Sequence, residues 1–436
     1  MQLTHKLKAS VAKWPYAVIS TMAGIAAFGA YTSMYAFRKA FTAGTFAGDQ
    51  YWHVDYKVWL VIAQIMGYML SKFYGIRFIS EIKGTKRGLT IIMLVGISWL
   101  ALLGFAFVPA PYNIVFLFIN GFPLGLIWGL VFGYLEGRRS TEFMAAVLSI
   151  SFIFGSGFVK TVGQTLIQVY HVSEYNMPFL TGALFILPLI LFVFFLELMP
   201  PQTLEDKLLR TERSPMNGTE RKQFLTRFLP GIILTLIIYV LLTVMRDIRD
   251  NFNVEIWNSL GIKDRGIYTR IDTRISIIVL VAMSLLILVK RNVLAFSLIH
   301  IMIIAGCLMV GGGTVLFSLK LIDPITWMTL AGLGLYLGYV PYNAIFFERM
   351  IATFHYKSNV GFLIYVADSV GYLGSVGVLL IKELGRPNIS WADFFKEGVI
   401  VVAVVGGICC TLSLFYFLQA ARKKPVSEAE LKLSVI

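Results

Sequence analysis

Tyr31-Thr-Ser-Met-Tyr35-Ala-Phe-Arg38-Lys39-Ala-Phe41 decides how the rest of the chain is read. It continues an apolar run that begins near Tyr16 and is long enough to cross a membrane. Two adjacent cations inside such a run cost about 3 kcal/mol each on insertion scales, so they should face protein or a water-filled cavity, not lipid. Tyr31, Tyr35 and Arg38 follow at steps of four and three, which places them on one helix face. Lys39 lies roughly 100° around the helix. This face reads as the lining of a polar path for an anion. The competing reading is that Arg38 and Lys39 snorkel to the outer headgroups.

Composition supports a membrane setting. Apolar residues make up 57% of the chain, charged residues only 14%, and the mean hydropathy is +0.76. A soluble domain averages about 25% charged residues. The chain is therefore an integral membrane protein, with the lipid bilayer as a partner. The net charge of +14 is no sign of nucleic-acid binding, because membrane proteins concentrate Lys and Arg in the loops of one side. Cys307, Cys409 and Cys410 sit in apolar runs without CxxC or His-paired spacing and read as buried thiols. The five His residues show no metal-ligand spacing, and no Ser-His-Asp or Cys-His set is present, so no metal, cofactor or enzymatic activity is expected. Lys6, Lys8 and Lys13 precede the first apolar run, which is too long for a signal peptide and reads as an uncleaved first span.

Twelve runs of spanning length follow, near 16–46, 57–80, 89–108, 112–135, 143–170, 177–199, 228–258, 266–289, 293–319, 324–347, 358–382 and 395–421. The N-terminus, the loops near Lys83–Arg87, Arg138–Arg139, 200–227, Lys290–Arg291 and 348–357, and Arg422-Lys-Lys424 fall on one side. They carry several times the Lys and Arg of the opposite loops, which puts both termini in the cytoplasm. Residues 200–227 form the longest polar connection and divide the chain into a bundle over 1–199 and a second over 228–436. Within that connection Asn217-Gly-Thr219 matches a glycosylation acceptor, which on the cytoplasmic side is noise.

The two halves echo each other. Glu136-Gly-Arg138 and Glu348-Arg349 follow the fourth and tenth spans at an offset close to 210, and a similar shift carries Tyr31 and Arg38 onto Tyr239 and Arg246. A slightly larger offset pairs Arg38 with Arg249 instead. Paired six-helix halves with a substrate site between them are the plan of a major facilitator transporter.

Polar stripes mark the site. Gln64, Tyr68 and Lys72 line one face of the second span, and Tyr239, Thr243, Arg246 and Asp250 one face of the seventh. In the seventh span two Arg and two Asp could also satisfy each other within the helix. Ser156, Lys160 and Gln164 in the fifth span and Tyr365, Asp368 and Tyr372 in the eleventh are helically spaced. A shift of about 208 carries Lys160 onto Asp368, so the two are expected to pair across the pseudo-twofold as a gate or as structural glue. Arg270, Asp272 and Arg274 read as a solvated end of the eighth span. Intramembrane cations outnumber carboxylates, and an anionic substrate would neutralise the excess. Arginine suits a tetrahedral oxyanion because its planar fork binds two oxygens.

Tyr31-x3-Tyr35-x2-Arg38-Lys39-x-Phe41 resembles the first-span signature of the organophosphate:phosphate antiporters, a family that includes the glycerol-3-phosphate and hexose-phosphate transporters. Tyr68 and Ser71-Lys72-Phe73 resemble its second-span segment, and Arg246 falls where that family has its seventh-span arginine. The loop Glu81-Ile-Lys83-Gly84-Thr-Lys86-Arg87 matches the superfamily loop only loosely, and the acids beside Arg246 depart from the family pattern. The resemblance implies a monomeric all-α membrane protein of twelve transmembrane helices in two pseudo-symmetric bundles, in a bacterial inner membrane. It implies exchange of a phosphorylated metabolite for phosphate, with Arg38 and Arg246 as central ligands and Lys72, Tyr31, Tyr35, Tyr68 and Tyr239 beside them; the polar stripe of the second span adds Gln64 to the candidate substrate-binding residues. Lys160, Asp368, Arg249 and Asp250 are the candidates for gating or coupling. A proton-coupled facilitator for a sugar, nucleoside or carboxylate and a non-transporting sensor are the alternatives.

Overall fold

The computed structural model describes residues 2–81, 86–203, 206, 218–354 and 360–422. The loop Lys83–Thr85, most of the 200–217 connection with Asn217, and Lys423–Lys424 lie outside the described residues, as does the side chain of Tyr365.

A short helix, Gln2–Val11, precedes the first span. Twelve long helices follow: Tyr16–Arg38, Tyr56–Glu81, Arg87–Phe107, Ile114–Leu135, Thr141–Gln168, Met177–Glu197, Gly218–Asn251, Ile267–Ile287, Asn292–Ser318, Pro324–Thr353, Val360–Gly385 and Trp391–Arg422. They are spans one to twelve below. Nine of them are long and apolar enough to cross a membrane by composition alone. The other three, spans two, eight and eleven, carry charges inside their lengths, among them Lys57 and Lys72, Asp272, and Asp368. Large apolar side chains such as Leu100, Leu187, Leu308 and Leu412 are exposed on spans three, six, nine and twelve, as a lipid-facing surface requires.

Several boundaries differ from expectation. The first helix stops at Arg38 and passes through Lys39 into a 3-10 turn, Ala40–Ala43, so the apolar run to residue 46 is a buried cap and not more helix. Span seven begins at Gly218, inside the expected connection, and ends at Asn251; a separate helix, Asn253–Ser259, lies beyond it. Span ten runs past its apolar stretch to Thr353 through a π segment, Tyr342–Phe346. Pro341 has no N–H to give to the helical ladder, which accounts for the irregular turn beside it. A two-stranded hairpin, Gln50–Tyr51 with Val54–Asp55, caps the side opposite the termini; Trp52 and His53 at its tip both have positive φ.

The packing is two-fold symmetric in its contacts. Span one packs on four, five and six, two on four, and three on four and six. The same pairs recur six spans later: seven on ten, eleven and twelve, eight on ten, and nine on ten and twelve. Between the halves, span two meets eleven and span five meets eight, a pair that the same symmetry exchanges. Two glycines fix the offset. A Cβ on Gly121 would lie 2.3 Å from the Gln64 carbonyl oxygen, and one on Gly332 would lie 2.7 Å from Ile275. Gly121 to Gly332 and Gln64 to Ile275 are both shifts of 211 residues, and that shift carries Arg38 onto Arg249.

Candidate functional site

The polar residues of the interior fall in two layers where the halves meet. The first lies toward the side opposite the termini, here the far side. Lys39 Nζ, just past the end of span one, is 3.1 Å from Asp250 Oδ2 and donates to Asn251 Oδ1 at 2.6 Å. Lys160 Nζ, from span five, is 2.7 Å from Asp250 Oδ1, and Ser156 donates to the same oxygen. Asp250 thus serves two lysines of the other half. Lys57 Nζ is 2.5 Å from Glu255 Oε1 and also donates to the Thr42 carbonyl. Arg249 pairs with Asp272 at 2.8 Å, both nearly inaccessible. At the outer edge the Asp55 N–H donates to Glu383 Oε2 at 3.1 Å.

The second layer is central. The Arg38 guanidinium lies 3.8 Å from the centre of the Tyr68 ring and 5.8 Å from that of Tyr35. The Tyr68 ring meets Tyr372 of span eleven edge-on at 5.4 Å. Arg246 covers the Tyr339 ring at 3.9 Å and is 2.6 Å from Asp247, whose other oxygen accepts from Ser375 at 2.9 Å. Tyr35 and Tyr372 both lie within electrostatic reach of both guanidiniums. On the side nearer the termini, Lys72 Nζ is 3.4 Å from Asp368 Oδ2, and the Tyr239 hydroxyl donates to Asp368 Oδ1. Asp368 stands eight residues into span eleven, about 12 Å along its axis.

Most of the expected residues gather here, but not in the expected pairs. Lys160 does not meet Asp368; the sequence offset ignored that the symmetry brings span five to eight and two to eleven. Lys160 goes to Asp250 and Asp368 goes to Lys72. The intrahelical cluster of span seven is half real: Arg246 and Asp247 pair, while Arg249 and Asp250 reach other spans. Asp272 is buried against Arg249, whereas Arg270 pairs with Asp264 in the open, as a solvated end predicts. Gln64 is a structural residue. Its amide nitrogen donates to the Arg38 carbonyl at 2.6 Å and to Asn120 at 2.8 Å, and Asn120 in turn donates to the Phe37 carbonyl. These bonds satisfy carbonyls left over where the first helix stops. Tyr31 packs edge-on against Trp128 and Phe152 within the first half and forms part of the wall behind Tyr35. Tyr339, Ser375, Asn251 and the Lys57–Glu255 pair also belong to these layers without standing out in the sequence: Tyr339, Ser375 and Asn251 carry no charge, and Lys57 and Glu255 sit at helix starts, where a charge is unremarkable.

A charge census separates the two halves. Apart from the Arg349–Glu142 and Lys382–Glu383 pairs at the ends of the bundle, the first half supplies only cations to these layers among the described residues: Arg38, Lys39, Lys57, Lys72 and Lys160. The second supplies Arg246 and Arg249 with five acids: Asp247, Asp250, Glu255, Asp272 and Asp368. Seven cations against five carboxylates leave two positive charges over. One is shared between Lys39 and Lys160, which divide Asp250. The other is Arg38. Among the described residues it is the only buried Lys or Arg with no acidic partner, and its Nε has no hydrogen-bond partner.

Known structures share this architecture. A D-xylose–proton symporter aligns with a TM-score of 0.57 at 15% identity, over 94% of this chain and 97% of its own. A POT family transporter in complex with a thioalcohol-conjugated peptide aligns with a TM-score of 0.60 at 14% identity, over 93% and 96%. Another, in complex with 5-aminolevulinic acid, gives 0.58 at 14% identity over the same shares. At these identities the likeness defines the fold: an all-α, multi-pass membrane protein of the major facilitator type. No curated protein matches the chain. Residues 40–420 match the family described as "Family of unknown function (DUF5690)", and with nearly the whole chain covered, the protein belongs to that family.

Proposed function

We propose that the protein is a secondary active transporter that carries a small organic anion, a phosphorylated metabolite first among the candidates, through alternating access of a central site. The observation that supports this reading most is Arg38. A buried guanidinium without a counter-charge is unfavourable by several kcal/mol unless something anionic joins it. It stands where spans one and two of the first half meet span eleven of the second, beside Tyr35 and Tyr68. The second surplus charge belongs to Lys39, the next residue, together with Lys160. Two surplus charges at adjacent positions match a dianion such as a phosphate monoester. Arg38 would take two of its oxygens in a fork, with tyrosine hydroxyls beside it. The Arg246 fork is engaged by Asp247 and would act as a ligand only after that carboxylate turns away.

Three of the ion pairs between first-half lysines and second-half acids, Lys39–Asp250, Lys160–Asp250 and Lys57–Glu255, hold the far side together. Substrate release to that side requires them to part, which is the rocking motion that alternating access demands. Both termini in the cytoplasm is the orientation that the loop charges favour, and the resemblance to the organophosphate:phosphate antiporters suggests a bacterial inner membrane.

The test is uptake of labelled glycerol 3-phosphate, hexose 6-phosphate and inorganic phosphate into proteoliposomes. Arg38→Ala should abolish the uptake of whichever anion wild type carries while the protein still purifies as a folded species. Undiminished uptake by that variant would remove Arg38 from the site and the reading with it. Binding of an anion without any uptake would favour a sensor over a carrier.

A further inference from the structure

Resting on the anion-site reading, the geometry of Lys72 and Asp368 carries a statement about coupling. The two residues join the halves, span two to span eleven, on the side of Arg38 nearer the termini. Lys72 Nζ lies 5.1 Å from the centre of the same Tyr68 ring that Arg38 covers at 3.8 Å. The two cations are therefore no more than about 9 Å apart, within the swing of a lysine side chain. An anion on Arg38 competes with Asp368 for the Lys72 ammonium.

When Lys72 turns to the anion, Asp368 is left as a carboxylate buried in the protein, 5% exposed. Removing one partner of a buried pair is strongly unfavourable, and the remaining group neutralises itself where it can. The Tyr239 hydroxyl can donate to Asp368 in either state, so it does not need to move. Among the described residues the other groups near Asp368 are Tyr68 of span two, Tyr339 of span ten and Tyr372 of its own span, none of which brings a positive charge. Arg246 is engaged by Asp247. The charged residues of the remaining elements packed on span eleven, Arg349 with its partner Glu142, Glu348, and Asp55 of the hairpin, stand at its two ends.

We infer that Asp368 is the coupling carboxylate: anion binding takes Lys72 from it, one proton from water adds to the freed oxygen, and anion and proton cross together. The step forms one O–H bond on Asp368, breaks one in the hydronium ion or buffer acid that gives up the proton, and parts the ion pair. Release of the anion on the opposite side returns Lys72 to Asp368 and expels the proton there, and the empty carrier goes back with the pair restored.

The probe is inorganic sulfate, a tetrahedral dianion whose own charge is constant above about pH 4, unlike that of a phosphate. Titration calorimetry in two buffers of different ionisation enthalpy counts the protons taken up by the purified protein per sulfate bound. One proton is expected near neutral pH, with affinity falling roughly tenfold per pH unit as pH rises. In Asp368→Asn the count should drop to none and the affinity should become independent of pH. A wild-type count of none, or a count of one that persists in Asp368→Asn, overturns the inference. The wild-type count decides the matter even if the variant does not fold. Failure of the anion-site reading looks different: sulfate then binds neither at low nor at high pH, or binds Arg38→Ala as tightly as wild type.

Discussion

The two halves have the same helices in the same arrangement and opposite interior charge. Spans one to six place five cations and no acid among these interior ions, while spans seven to twelve, with the short helix after span seven, place five acids and two arginines. Among the described residues, four ion pairs in these layers cross from a first-half lysine to a second-half acid, and the reverse sense is found toward the termini, where Arg349 pairs with Glu142. The repeat-related arginines express the contrast most sharply. Arg249 is locked onto Asp272 at 2.8 Å, whereas Arg38, 211 residues earlier, has only tyrosine faces. The second half holds its charges in pairs, and the first half keeps one, Arg38, without an acidic partner among the described residues.

The largest effect that follows is at Asp250. Asp250→Ala strands Lys39 and Lys160 together, and breaking a buried pair costs about 3–5 kcal/mol even with one partner lost. Little folded, monodisperse protein should survive detergent extraction. Lys160→Met should be far milder, because Asp250 keeps Lys39. Equal stability of the two variants in size-exclusion chromatography and thermal unfolding would mean that Asp250 is not the shared anchor.

Next in size is the arginine pair itself. Arg249→Ala should lose about 3–5 kcal/mol of stability by leaving Asp272 without a partner, while Arg38→Ala should lose less than about 1 kcal/mol and could gain stability. Thermal unfolding of both in the same detergent checks this. A loss on Arg38→Ala as large as that on Arg249→Ala would mean that Arg38 is structural and that the contrast between the halves is false.

Much of this was legible in the sequence. The twelve runs, the repeat and the excess of cations follow from hydropathy and counting, since lipid forces helices and makes interior charge conspicuous. Arg38, Lys72, Arg246, Lys160 and Asp368 stood out for the same reason. The partners did not. Helical spacing reports which residues share a face, and it says nothing about which face of another half will be opposite. Lys160 was therefore assigned to Asp368, although Asp250 holds it. Gln64 failed in another way: a polar stripe looks the same whether it lines a cavity or closes the ladder of a neighbouring helix. Its amide holds the Arg38 carbonyl and Asn120. Gln64→Ala should accordingly lower stability by about 1–3 kcal/mol, the cost of leaving a buried carbonyl unpaired, and it should weaken transport only as far as it lets the end of span one shift. Normal stability with lost binding would return Gln64 to the substrate.

The smallest effect sits outside the interface and serves as its control. Asp206 lies beyond the spans, in the connection after span six; its partners are Tyr16 and Arg139 of the first half and Thr203 of the connection, and no second-half group is bonded to it among the described residues. Burial by itself would raise its carboxyl. The N–H groups of Arg139 and Thr203, at 2.9 and 3.0 Å, with the hydroxyls of Thr203 and Tyr16, outweigh burial and hold it below the usual carboxylate range. A carboxyl whose pKa is lower in the folded state stabilises the fold above its unfolded value of about 3.9, and that contribution is lost as pH falls through the folded value. Asp206→Asn should therefore be about 1 kcal/mol less stable than wild type at neutral pH, with the difference shrinking as pH falls below about 4. Because the anchor ties the loop after span four to Tyr16 within one half, the variant should leave anion binding and its proton count untouched. A changed proton count in Asp206→Asn would place a titrating group of the first half in the coupling path, and the division of charge between the halves would no longer account for it.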